Sequence, residues 1–178
     1  MATTLGPYPE YGGSPNVTGM ASFRAARTMG NNRQFILMNW IMQGLDMEGC
    51  AGAPPAGVAN ACGIHIHEGM TCEDIQGDYY DADYWAPEDP WSNVNYTTNG
   101  SWPTSNAKTG GNNYKAVVTT GFNYSSIAGR ALVVYDSTGV GIACGLIEAA
   151  SENFLWLYGK PPCLANETGC GYWQWTIR

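Results

Sequence analysis

Positive charge is scarce in this chain. Lys and Arg number 8 against 15 Asp and Glu in 178 residues, a formal net charge of −7. Nucleic-acid binders track phosphates with a basic stripe; none is present, so no nucleic-acid partner is expected. The polybasic cluster that an anionic membrane surface attracts is missing too. No apolar run reaches about 18 residues, so no membrane insertion is expected. The opening residues, Met-Ala-Thr-Thr-Leu-Gly-Pro, lack the basic and apolar regions of a secretory signal. A secreted form would therefore be mature or trimmed. Histidine is limited to two residues, and no CxxC pair occurs, which argues against a zinc ribbon or a thioredoxin motif.

What is abundant is Gly (23), Tyr (11) and Trp (7), the composition of a β-rich, loop-rich extracellular protein. Six cysteines, Cys50, Cys62, Cys72, Cys144, Cys163 and Cys170, allow fifteen connectivities. The short separations Cys50/Cys62 and Cys163/Cys170 read as loop staples, which leaves Cys72 with Cys144 as a long-range bridge. Five N-glycosylation sequons begin at Asn16, Asn95, Asn99, Asn123 and Asn166, against roughly two expected by chance. Cysteines and sequons together predict an extracellular, secreted glycoprotein carrying N-linked glycans.

Along the chain, residues 1–15 are rich in Pro and Gly and read as an extended N-terminal arm. Strands are predicted over 17–24, 33–45, 63–68, 114–120, 130–136, 141–147 and 153–158. The 33–45 run is apolar enough for a buried helix, but its β-branched and aromatic content favours a strand. The Asp-, Tyr- and Trp-rich stretch 69–113 has little periodicity and reads as a long functional or cross-linked loop. Residues 172–177 alternate, with Trp173, Trp175 and Ile177 on one face. The organisation is an arm (1–15), an all-β barrel or sandwich (16–158) and a disulfide-looped C-terminal extension (159–178).

The chemistry-bearing motif is Gly63-Ile64-His65-Ile66-His67-Glu68-Gly69. On a strand, residues two apart share a face, so His65 and His67 present two imidazoles side by side, as copper and zinc sites require. This motif is followed by Cys72, a long loop, Gly129-Arg-Ala-Leu-Val-Val-Tyr-Asp136 and Ile142-Ala-Cys-Gly-Leu-Ile147. In order and spacing these elements resemble the copper/zinc superoxide dismutase family. The resemblance covers about residues 17–147. It implies a Greek-key β-barrel with N- and C-terminal extensions, a Cys72–Cys144 disulfide, and His65 and His67 at two of the family's four copper-ligand positions. Asp78 or Tyr79 stands where the bridging histidine belongs, and Tyr135 where the fourth ligand belongs. Gly141 replaces the arginine that guides superoxide. No histidine is left for the zinc site.

The resemblance with these departures implies a pseudoenzyme. No catalytic residue is expected, and no cofactor, with copper on a residual His65/His67/Asp78/Tyr135 site as the alternative. The expected role is a structural, self-assembling subunit. Its partners would be other copies of itself, through Tyr8 and Tyr11 of the arm and Trp173 and Trp175 of the terminal strand. A second alternative is a carbohydrate- or peptide-binding module built on the loop aromatics Tyr79, Tyr80, Tyr84, Trp85, Trp91, Tyr96 and Trp102.

Overall fold

The computed structural model describes residues 1–9, 11–13, 16–28, 34–99, 102–105 and 115–149. Within them the chain is all-β, with one four-residue helix, α1 (Ala82–Trp85). The strands are β1 (Ala2–Pro7), β2 (Thr18–Thr28), β3 (Gln34–Gln43), β4 (Ile64–Ile66), β5 (Tyr96–Asn99), β6 (Trp102–Ser105), β7 (Lys115–Val118), β8 (Ala131–Tyr135) and β9 (Gly141–Leu146). Seven form one sheet in the order β4-β8-β9-β1-β2-β3-β7, and β5 pairs with β6. Every pairing is antiparallel, and the large sheet curls into a half-barrel.

Period-two patterning sets which side chains enter the core. On β3, Ile36, Met38, Trp40 and Met42 are buried in alternation. Ala21 and Phe23 of β2 and Leu5 of β1 join them. A bulge between Ala25 and Arg27 breaks the β2–β3 register near its end. The tight β8–β9 connection is an Asx-type turn: the Asp136 carboxylate accepts from the N–H groups of Thr138 (2.8 Å) and Val140 (3.0 Å), and Gly139 supplies the positive φ of 79°.

Strand β8 is buried along its whole length. Leu132 and Val134 face the main core. Ala131, Val133 and Tyr135 face outward, where they form a second cluster with Cys144, Cys72, Ile75 and Tyr8. The segment after β4 therefore lies over the outside of the sheet, held there by the Cys72–Cys144 disulfide across 72 residues. Closing a loop of that length stabilises by about 4–5 kcal/mol on the chain-entropy account. Cys50–Cys62 closes a shorter loop; Cys163 and Cys170 lie outside the described residues.

The expected N-terminal arm needs correction: Ala2–Pro7 is a central strand between β9 and β2, not a segment outside the barrel. Thr3 and Leu5 point inward, each 3% exposed, and Pro7 is tolerated as the strand's last residue. Tyr8 and Tyr11 are half-buried, each in contact with this chain's own body. Tyr8 packs on the cluster around Tyr135, its N–H donating to the Ile142 carbonyl, and Tyr11 packs against the main core. Trp173 and Trp175 lie outside the described residues.

The long loop is also more ordered than its lack of periodicity predicts. It holds α1, a 3-10 turn over Pro90–Asn93 and the β5–β6 hairpin. Its aromatics mostly pack inward. Trp91 and Tyr96 are fully buried and Tyr79 nearly so, all three in the main core. The Trp91 indole N–H donates to the Tyr79 carbonyl (3.0 Å) and that of Trp85 to the Thr119 carbonyl (2.8 Å). Tyr84 alone is an exposed large aromatic among the described residues. A sugar-binding face built on Trp91 and Tyr96 is excluded by their burial.

Candidate metal centre

Strand β4 alternates as its sequence requires: Ile64 and Ile66 enter the core, and His65 and His67 point to the outer face. Both imidazoles are nonetheless only 3% exposed, because the overlying segment, Tyr135 and Trp91 enclose them. Gly63 makes room for the first ring. A Cβ there would stand 2.6 Å from His65 Nε2 and 2.8 Å from the Asn60 carbonyl oxygen.

Asp78 is delivered by backbone pairing. It forms an antiparallel bridge with His67, and the Glu68 and Tyr79 N–H groups donate to the Gly77 and Ile66 carbonyls on either side. One carboxylate oxygen lies 3.3 Å from His65 Nδ1, the other 3.2 Å from His67 Nε2. Tyr135 reaches the same point from β8, its hydroxyl 2.6 Å from His67 Nε2.

The tautomer of His67 follows from its other nitrogen. Nδ1 faces the carbonyls of Gln76 (3.1 Å) and Gly77 (3.2 Å), so it carries the proton. The Nε2 lone pair is then aimed into the site, where the Tyr135 hydroxyl donates to it. Metal-ligating histidines are oriented by this kind of carbonyl contact on the distal nitrogen.

Charge is arranged consistently. Burial holds His67 below its ordinary pKa, and the Asp78 charge and Gln76 carbonyl only partly offset this. Burial alone would raise Asp78, but its contact with His65 and the charges of His65 and His67 outweigh it and hold the carboxyl below the usual range. Tyr135 is pushed up by burial and by Asp78, so its phenol stays protonated. Asp89, whose carboxylate accepts from the Trp91 N–H (2.8 Å), is raised by burial and by Asp78. At neutral pH Asp78 is a carboxylate and His67 a neutral imidazole.

Two buried polar atoms facing this point, His65 Nδ1 and Asp78 Oδ1, make no well-aligned hydrogen bond, although each lies 3.2–3.3 Å from a group across the site. Such atoms cost free energy unless something satisfies them. The donor atoms of His65, His67 and Asp78 lie within 4.8 Å of one another. A tetrahedral site with bonds of about 2.0 Å has ligand–ligand edges of about 3.3 Å. Each imidazole nitrogen lies at about that distance from its own Asp78 oxygen, 3.3 Å to Oδ2 and 3.2 Å to Oδ1, and the three donors must draw together to meet one ion. Two imidazole nitrogens with one carboxylate oxygen suit Zn(II) or Cu(II) far better than Ca(II) or Mg(II). The residues present fit one such ion.

The sequence names all four converging residues. Gly63 stands in the quoted motif, but nothing in the sequence ties Asp89 or Trp91 to this site; the Trp91 ring centroid lies 5.8 Å from that of His65. At Gly141 a Cβ would stand 3.0 Å from the Tyr8 ring, so an aromatic covers the position compared with the guiding arginine. Among the sequons, Asn16 and Asn123 are exposed and Asn95 is half-buried, with its carbonyl oxygen buried and unpartnered. The Asn99 side chain and Asn166 lie outside the described residues. Comparison with family models, curated proteins and solved structures finds no match.

Proposed function

We propose that this chain is a secreted β-barrel of the copper/zinc superoxide dismutase type that has given up turnover and kept a single transition-metal pocket. The observation that carries the reading is the convergence of His65 Nδ1, His67 Nε2 and the Asp78 carboxylate on one enclosed point, where two of those atoms make no well-aligned hydrogen bond. The strand order, with β4 beside β8 and β9 beside β1, is compatible with a Greek-key barrel of that type. Bound there, Zn(II) would be structural, and Cu(II) would meet a ligand field poorer in nitrogen than a dismutase offers.

Loss of turnover rests on electrostatics and access. Superoxide is an anion, the chain carries −7, and the ligand set adds a carboxylate. No cation stands at Gly141, where the Tyr8 ring packs instead. Steering by a local cation raises on-rates roughly 10- to 1000-fold; that contribution is missing here.

Two measurements on the copper-loaded, disulfide-intact protein test this reading. Metal analysis after dialysis is expected to find one ion per chain in the wild type and none in His65→Ala. A superoxide assay is expected to show no acceleration beyond that of free chelated copper. Dismutase rates typical of the family, or no retained metal, would overturn it.

A further inference from the structure

Strand β4 pairs with β8 on one side, and two segments of the long loop share its other edge. Residues 78–79 cover the His67 end: Asp78 bridges His67, and the Tyr79 N–H donates to the Ile66 carbonyl (2.8 Å). Residues 94–96 cover the Gly63 end. There Gly63 bridges Asn95, the Ile64 N–H donates to the Val94 carbonyl (3.1 Å), and the Tyr96 N–H donates to that of Cys62 (2.9 Å). His65 stands at the seam between the two segments.

Trp91 closes that seam. It is fully buried, its indole N–H donates to the Tyr79 carbonyl (3.0 Å), and its ring centroid lies 5.8 Å from that of His65. The turn that delivers Trp91 begins at Asp89. The Asp89 carboxylate caps it by accepting from the Trp91 N–H (2.8 Å), and the Asp89 carbonyl accepts from the Ser92 hydroxyl (2.8 Å) and N–H (3.2 Å). The Asp89 carboxyl also hydrogen-bonds the Asp78 carboxyl. The imidazoles beside Asp78 favour its ionised form, so Asp89 is the donor of the pair. A carboxylate offers about four lone-pair positions, so Asp78 accepts this bond and keeps others for an ion. A turn cap alone accounts for the contact with Trp91 but not for the one with Asp78.

On the reading of this pocket as a one-ion site, we propose that Asp89 is a positioning residue for the metal: it holds the Asp78 carboxylate toward His65 and His67 and, through Trp91, holds the His65 ring. Removing partners of this kind typically lowers metal affinity about 10–100-fold.

Affinities of the full, disulfide-intact chain for Zn(II) and for Cu(II), measured by competition with a chromophoric chelator, test this. Asp89→Ser keeps a good cap, but its hydroxyl sits where the carboxyl carbon was and falls short of Asp78. It is expected to leave the melting temperature of the metal-free chain nearly unchanged and to weaken metal binding about 10–100-fold. Asp89→Asn keeps the capping oxygen and supplies an N–H donor to Asp78, and is expected to bind metal nearly as well as the wild type. In the metal-free chain, the ring-nitrogen NMR signals of His65 are expected to shift in Asp89→Ser and to stay in place in Asp89→Asn. Asp89→Thr, another cap of short reach, decides if Asp89→Ser misfolds. Wild-type affinity in Asp89→Ser would overturn the proposal. So would Asp89→Asn binding as weakly as Asp89→Ser, because charge rather than the hydrogen bond would then be responsible. A wild type that binds neither ion would remove the metal reading itself and this role with it.

Discussion

His67 and Asp78 respond to acid in different windows, and the signs follow from their environments. The folded-state pKa of His67 lies below the ordinary 6.5 because burial disfavours the charged ring. The unfolded chain therefore takes up that proton more readily. Stability from this residue is full above about 6.5 and declines as pH falls from there through the folded value. Asp78 is depressed in the folded state, so its contribution is present above the ordinary 3.8 and is lost as pH falls through its lowered value. The metal-free wild type is expected to lose denaturant midpoint between pH 7 and 5, and His67→Gln is expected to flatten that slope. An unchanged slope in His67→Gln would contradict the burial account. Bound metal competes with protons for the same nitrogen, so loading should move the onset of the decline to lower pH.

At the scale of the element, alternation made β3 readable, because Ile36, Met38, Trp40 and Met42 repeat with period two. The HxH motif was readable on β4 for the same reason. Strand β1 was not: Gly6, Pro7 and Pro9 dominate its local composition, and what makes it a strand is its place between β9 and β2. The loop aromatics misled in the opposite sense. Trp91 and Tyr96 sit in a stretch without periodicity, and their burial comes from closing the open half-barrel, a tertiary effect that no local pattern encodes. Trp91→Ala is expected to cost about 3–5 kcal/mol, the usual range for emptying a buried aromatic site, read as a fall in denaturant midpoint. A near-neutral effect would mean that the loop does not pack as described. Cys72→Ala with Cys144→Ala is expected to cost about 4–5 kcal/mol and to weaken metal retention, because the stapled segment leads to Asp78.

For the whole molecule, the cysteine spacing and the end motifs made the Cys72–Cys144 connection legible from sequence, and the sequons are compatible with the secretory route it implies. Which sequons are usable is a matter of surface, not of motif. Asn16 and Asn123 stand in solvent, and the Asn123 side-chain oxygen caps a 3-10 turn by accepting from Ser126 N–H (3.1 Å), which leaves its nitrogen available. Glycopeptide mass spectrometry of protein from a eukaryotic secretory host is expected to find glycans at these two sites and none at Asn95. Full occupancy at Asn95 would contradict its packing.

The central claim is that a barrel without dismutase turnover retains a one-ion pocket. Native mass spectrometry of the intact chain, soaked with Zn(II) or Cu(II) and then dialysed, tests it most directly. The account predicts one ion per wild-type chain, at most a small fraction in His65→Ala and Asp78→Asn, and substantial retention in Tyr135→Phe, whose phenol hydrogen-bonds His67 rather than completing the inner set. Wild-type protein that returns from dialysis without metal, or that holds it equally well in His65→Ala, would contradict the claim.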